Sequence, residues 1–319
     1  MTHAASPVRK DFLSVLDFDA AELERCLEIA GHVKADRPLG RQAPTSAALE
    51  GRHVAMLFEK ASLRTRSTFE IAVVELGGNV VGLQPDAALG KREPVSDVAR
   101  NLERWVDGVV IRTFSQRLLE EFAAAAPRLR VINALSDEQH PCQALADVLT
   151  LREQWGTVRG RTVAYVGDGN NVAVSLVHAA LMLGIHVHVA SPEGYQLSDA
   201  AVHQATGAAR QGARLRLFTE AADAVSGADA VYTDTWTSMG QESEAEVRRS
   251  VFGPYQVNEN LMSQAKPGAL FMHCLPAHRG EEVTADVFES PASVVFDQAE
   301  NRLHVQKALL SMLLSSAHP

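Results

Sequence analysis

The chain reads as an α/β protein made of two doubly wound parallel-sheet domains joined by helices. Three observations predict this. Short apolar runs of strand length alternate with amphipathic helical stretches through most of the sequence. The alternation pauses near the middle of the chain and then starts again. A length of 319 residues suits about two domains of ordinary size better than one enlarged core.

The elements follow in order. Leucines and an isoleucine at helical intervals predict a helix over 20–33, and a loop rich in Pro, Gly and Ala then runs to Gly51. Apolar runs at 54–58, 80–83, 108–111 and 129–132 suit buried parallel strands, with helical patterns such as 95–105 between them. Residues 136–155 read as one longer helix, opened by Ser136, Asp137 and Glu138, which bridges the two halves. Strand-like runs return at 162–166, 186–190, 214–218, 230–232 and 270–273. A short run at 294–296 precedes a last helix over 303–314, apolar enough to dock on a core. The expected division is 1–140 for the first domain, with the C-terminal helix 303–319 packing back on it, and 141–302 for the second.

Composition narrows the function classes. The chain is 46% apolar and 22% charged, with a formal net charge of -9. That balance argues against nucleic acid or an anionic membrane as partner, so an anion site has to be a local basic pocket in an acidic protein. The opening Met1-Thr2-His3-Ala4-Ala5-Ser6 lacks a hydrophobic signal core, and no apolar run reaches membrane-spanning length, so a cytoplasmic location is expected. Cys26, Cys142 and Cys274 are odd in number, widely spaced and without a C-x-x-C. They indicate neither a disulfide framework nor a metal site, and any cysteine that matters should act as a thiol.

Open parallel sheets bind ligands beyond the carboxyl ends of their strands, and the chemically distinctive residues cluster just after the predicted strands. Ser62-Leu63-Arg64-Thr65-Arg66 follows the first strand and opens a helix. Backbone N–H groups at a helix start carry partial positive charge, and here two hydroxyls and two guanidiniums join them, a combination that suits a phosphate. Alone, the same five residues would be a hydroxyl-capped helix with two solvated arginines. Arg112 and Thr113 end the third strand, from which the arginine can project over the same sheet edge. His140-Pro141-Cys142-Gln143 brings a histidine donor and an amide, both suited to a carbonyl held between domains. Gly167-Asp168-Gly169-Asn170-Asn171 turns from a strand into a helix near Val172. It resembles half a dinucleotide fingerprint, but Val172 stands where the third glycine would be. The next strand also ends at Ala190-Ser191 without an acidic residue for a ribose, so no nicotinamide cofactor is expected. The segment from Asp234 to Glu242 joins a carboxylate, hydroxyls and flexible backbone. His273-Cys274-Leu275-Pro276 places a thiol at a strand tip, although a free cysteine is commonly just a small buried residue. Arg302 is read as a guanidinium at the start of the last helix.

Taken together these residues resemble the carbamoyltransferases, over nearly the whole chain and on the ornithine side of the family. Ser62 to Arg66 resembles the carbamoyl phosphate loop, with Leu63 in place of the usual threonine; His140 to Asp147 resembles the second signature. Asp234 to Gln241 and His273 to Pro276 resemble the ornithine signatures. The resemblance implies that Ser62, Leu63, Arg64, Thr65 and Arg112 hold the phosphate of carbamoyl phosphate, and that His140, Gln143 and Arg302 hold its carbamoyl group, with Cys274 and Leu275 close by. It further implies that Asp234 and Ser238 bind the α-ammonium of L-ornithine, and that Asn171 and the Met239 N–H bind its carboxylate. Arg112, His140, Gln143, Cys274 and Arg302 are then the catalytic set. No cofactor or metal is implied. A homotrimer, or a multiple of trimers, is implied, with Gly90-Lys91-Arg92-Glu93-Pro94 as the loop that reaches a neighbour.

Overall fold

The computed structural model describes residues 11–60, 62–85, 93–238 and 240–315. The chain divides into two compact units. One comprises the residues up to Cys142 together with those from Arg302 onward, and the other is Gln143–Asn301. The first boundary lies two residues beyond the expected 140/141, and Arg302 groups with the first unit.

In the first unit, helix α1 (Ala20–Asp36) precedes four strands, β1 (His53–Phe58), β2 (Asn79–Leu83), β3 (Gly108–Arg112) and β4 (Arg130–Leu135). Helices α2 (Leu63–Glu75), α3 (Val95–Leu102) and α4 (Gln116–Ala125) alternate with them. The strands are all parallel, in the order β2-β1-β3-β4. Ala55, Leu57, Val109, Ile111 and Val131 pack with Val98, Leu102, Leu119 and Phe122 into one core. The intervening Val54, Met56, Val110 and Ile132 are buried too, as expected of strands covered on both faces.

Helix α5 (Pro141–Trp155) carries the chain into the second unit, where β5 (Thr162–Val166), β6 (His186–Ala190), β7 (Leu215–Phe218), β8 (Ala230–Thr233) and β9 (Leu270–His273) form a second parallel sheet. Its order is β7-β6-β5-β8-β9. Helices α6 (Asn171–Met182), α7 (Asp199–Ala208), α8 (Ala221–Val225), α9 (Ala245–Phe252), α10 (Glu259–Met262) and α11 (Ala285–Phe288) connect the strands, and α12 (Val295–Leu314) returns the chain to the first unit. Ala164, Val166, Val231 and Phe271 meet Ala224, Val225, Leu261, Val287 and Phe288 in this unit's core.

The strand orders matter for function. In the first sheet the winding reverses between β1 and β3, and in the second between β5 and β8. Loops leaving the carboxyl ends at a reversal diverge and open a crevice. The loops concerned are the ones that follow Phe58, Arg112, Val166 and Thr233.

Two predicted helices start at residues other than those observed. The bridge does not start at Ser136. Proline at the first helical position disfavours helical backbone at His140, and Ser136 instead closes a turn, accepting the Gln139 N–H on Oγ (3.0 Å). The last helix starts at Val295, so the run at 294–296 is largely its first turn and Arg302 lies in its interior. Among the described residues no helix is long and apolar enough to cross a membrane.

Candidate active site

The crevice of the first unit is built around the N-terminus of α2. Ser62 has extended backbone and caps the helix, its hydroxyl accepting from Thr65 N–H at 3.3 Å. Leu63, in the first turn, is 80% exposed. Thr65 is buried, and its hydroxyl gathers two guanidiniums. Arg302 Nη2 lies 2.6 Å from Thr65 Oγ1 and Arg112 Nη1 lies 3.4 Å from it, both donating. Arg112 reaches this point from a register shift at the end of β3, between Ile111 and Arg112. Arg64 is half-buried, whereas Arg66 is exposed and paired with Glu70 one helical turn on (2.8 Å).

His140 is buried, immediately before α5. Burial, helped by the positive charges of Arg302 and Arg112, pushes its imidazole well below the ordinary histidine range. It is therefore neutral, with one ring N–H to donate and none of the repulsion a third cation would bring. The loops that carry these groups are cross-linked. Glu59 Oε2 accepts from Thr113 Oγ1 (2.6 Å) and Phe114 N (3.3 Å). Lys60 pairs with Asp137 and lies 3.9 Å over the Phe114 ring, and Asp137 N donates to Phe114 O at 2.9 Å. The ends of β1, β3 and β4 are thus held together by polar contacts outside the sheet.

In the second unit Gln143, on the first turn of α5, donates from Nε2 to Asp147 Oδ1 at 2.8 Å, one helical turn along. Asp147 is fully buried and also receives Gln298 Nε2 (2.6 Å) and the Tyr232 hydroxyl (3.1 Å). At the β5/β8 reversal, Asp234 is buried. Its Oδ1 accepts the Cys274 thiol at 2.8 Å and its Oδ2 accepts Asn170 Nδ2 at 2.8 Å. Cys274 follows β9. Leu275, the next residue, has φ +61°, a left-handed conformation uncommon outside glycine, and its N–H donates to His273 Nδ1 at 2.8 Å. Asp234, His273 and Cys274 are close enough to one another to hold an ion. The imidazole is already committed, however, through Nδ1 to Leu275 and through Nε2 to Glu282 Oε1 (3.1 Å). Ser238 is half-buried in a turn closed by Gln241, whose Oε1 accepts Ser238 N–H at 3.1 Å. Asn171 is half-buried at the first position of α6. Met239, Gly90, Lys91 and Arg92 lie outside the described residues.

Ser62, Thr65, Arg112, His140 and Arg302 thus converge in the first unit, and Asp234 and Cys274 in the second. Several supporting residues had no role in the sequence reading. Asp147 was legible as the fourth residue after Gln143 on one helix face. Asn170 was legible as a polar residue just before an apolar helix. Arg248 was not, because only the fold brings it to Asp168 (2.7 Å) and to the Trp236 carbonyl (2.9 Å).

Residues 10–153 match the family model described as aspartate/ornithine carbamoyltransferase, carbamoyl-P binding domain, and residues 159–313 match its Asp/Orn binding domain. The chain is 50% identical to the ornithine carbamoyltransferase of Symbiobacterium thermophilum, over 96% of this chain and 98% of that protein. It is 48% identical to the anabolic ornithine carbamoyltransferase of Pyrococcus furiosus, over 96% of each. Among solved structures, the ornithine carbamoyltransferase of Pyrococcus furiosus superposes with a TM-score of 0.92 at 47% identity, covering 99% of this chain and 100% of that one. The Thermus thermophilus enzyme gives 0.85 at 43%, covering 96% and 99%.

Proposed function

The chain belongs to the aspartate/ornithine carbamoyltransferase family, and on that premise we propose that it transfers the carbamoyl group of carbamoyl phosphate to the δ-amine of L-ornithine, giving L-citrulline and phosphate. The observation that carries the choice of amine is Asp234, a buried carboxylate at the end of β8 beside a thiol and an amide. Such a group suits an ammonium and repels the second carboxylate of an aspartate.

The first unit takes carbamoyl phosphate. Ser62, the Leu63 N–H, Arg64, Thr65 and Arg112 receive the phosphate, where guanidiniums and a helix N-terminus favour a dianion. Leucine at position 63 serves this purpose through its backbone, without the hydroxyl contact of the usual threonine. His140 and Arg302 donate to the carbamoyl oxygen, on which negative charge develops as the amine attacks. Gln143 gives an N–H to Asp147, and the Oε1 end of its amide is the one suited to the carbamoyl NH2.

The second unit takes ornithine, with Asp234 and Ser238 on the α-ammonium and Asn171 and the Met239 N–H on the carboxylate. The δ-ammonium, like a lysine ammonium near pKa 10, must lose a proton to solvent before it attacks, and the nitrogen gives up a second proton once the new bond has formed. Cys274 orients that nitrogen and Leu275 lines the carbamoyl side. Attack forms the new C–N bond and a tetrahedral intermediate, without a covalent enzyme adduct. The intermediate collapses by breaking the bond from carbon to the bridging oxygen, and the departing phosphate takes up the proton released from nitrogen. Positioning and oxyanion stabilisation supply the rate enhancement.

Carbamoyl phosphate binds first, and the segment 238–240 then closes over ornithine. Product-inhibition patterns of a random mechanism would contradict that order. The active species is a cytoplasmic homotrimer, and sedimentation of a fully active monomer would contradict the assembly. The activity itself is tested by assaying carbamoylated product and phosphate with ornithine, aspartate, putrescine and N-acetylornithine. Ornithine is expected to be the preferred acceptor.

A further inference from the structure

The carboxylate assigned to ornithine's α-ammonium is not held by the strand that bears it. Asp234 follows the last residue of β8 and could adopt several rotamers, yet each of its oxygens meets a donor from a different loop, Cys274 on one side and Asn170 on the other. Asn170 is the more constrained of the two donors. Its Oδ1 caps α6, accepting from Val172 N (3.0 Å) and Ala173 N (3.2 Å), and the Tyr165 hydroxyl lies 3.3 Å from the same oxygen. Two backbone donors cannot face an amide NH2, so the orientation of this side chain is determined by the helix end. Its Nδ2 must then point away from the helix, and it meets Asp234 Oδ2 at 2.8 Å. The turn that delivers Asn170 is equally restricted. A Cβ on Gly169 would lie 2.5 Å from backbone atoms of Gln196 and Leu197, so the backbone can pass here only as glycine.

We propose that Asn170 is a positioning residue for the amino-acid half-site: by capping α6 with one end of its amide and donating to Asp234 with the other, it sets the orientation in which Asp234 receives the α-ammonium. The inference rests on the reading that Asp234 binds ornithine. It assigns to Asn170 a role distinct from that of its neighbour Asn171, which faces the substrate carboxylate in that reading.

Capping and positioning can be separated chemically. Serine and aspartate cap helices about as well as asparagine, but neither offers an amide donor. Asn170→Asp is nearly isosteric and sets a carboxylate oxygen against Asp234, whereas Asn170→Ser leaves a gap there. The experiment measures melting temperature and steady-state kinetics of the unsubstituted protein, Asn170→Ser and Asn170→Asp with carbamoyl phosphate and L-ornithine. Both variants are expected to melt close to the unsubstituted protein and to keep its KM for carbamoyl phosphate. Their KM for ornithine should rise about tenfold or more, further for Asn170→Asp than for Asn170→Ser. An ornithine KM for Asn170→Asp within about twofold of the unsubstituted protein would overturn the proposal. So would parallel rises in both KM values with a lowered melting temperature in both variants, because that marks a purely structural role. If the unsubstituted protein does not use ornithine, the functional reading fails first and the positioning role falls with it.

Discussion

At the scale of single residues, the first half-site depends on Thr65. It sits in the first turn of α2, buried, with the Arg302 and Arg112 guanidiniums on its hydroxyl. A valine there would keep the volume and remove the shared acceptor, so Thr65→Val is expected to raise the KM for carbamoyl phosphate while leaving the KM for ornithine unchanged. Arg64→Ala removes a charge-assisted contact of about 1.5–3 kcal/mol and should weaken carbamoyl phosphate about tenfold or more. An unaltered KM for carbamoyl phosphate in that variant would remove Arg64 from the phosphate site. Asp234→Asn should do the converse, sparing carbamoyl phosphate and damaging ornithine use. Equal damage to both would show that the fold rather than the site had been hit. These residues were legible in the sequence because each is a chemically unusual group directly after an apolar run. Arg248 and Glu282 were not legible, because an arginine within a polar helix and a glutamate in a loop look solvent-exposed until the fold buries them.

At the scale of elements, strands were easier to read than helix ends. Buried parallel strands such as β3 and β5 are nearly unbroken apolar runs, and the structure keeps them within a residue or two of the expected bounds. The bridge helix was read too long because Ser136, Asp137 and Glu138 look like a helix start, whereas Pro141 determines it. The last helix was read too short because Gln298, Asn301 and Arg302 interrupt the apolar pattern. All three are buried and bonded, Gln298 to Asp147, Asn301 to Thr150 and Glu153, and Arg302 to Thr65. Helix α6 carries a pH prediction. His178 is buried on it, and burial takes its pKa from the ordinary 6.5 to about 4. The unfolded chain therefore binds the proton more readily, and stability should fall as pH drops from about 6.5 toward 4, by up to about 3 kcal/mol from this group. Denaturant midpoints of the unsubstituted protein and His178→Leu, compared across that range, isolate the contribution. The difference between the two should change with pH in that window, and a constant difference would mean that His178 does not titrate as its surroundings dictate.

At the scale of the whole molecule, each unit carries a crevice at the reversal of its own parallel sheet, one rich in guanidiniums and one centred on a carboxylate. This resolves the tension between a net charge of -9 and an anionic substrate, since positive charge is gathered at one helix N-terminus by Arg112 from a strand end and Arg302 from within the last helix. The division also predicts separable defects. Arg64→Ala and Asp234→Asn belong to different units and are assigned to different substrates, and their effects on kcat/KM should combine nearly additively, as those of residues without a shared partner do. A strong departure from additivity would mean that each residue serves both substrates. The most direct test of the account remains the identity of the amine. Initial rates measured with carbamoyl phosphate and equal concentrations of L-ornithine, L-aspartate, putrescine and N-acetylornithine are expected to favour ornithine clearly, with citrulline and phosphate formed in equal amounts. Preference for any other amine would leave the phosphate half of the argument in place and contradict the roles given to Asp234, Ser238 and Asn171.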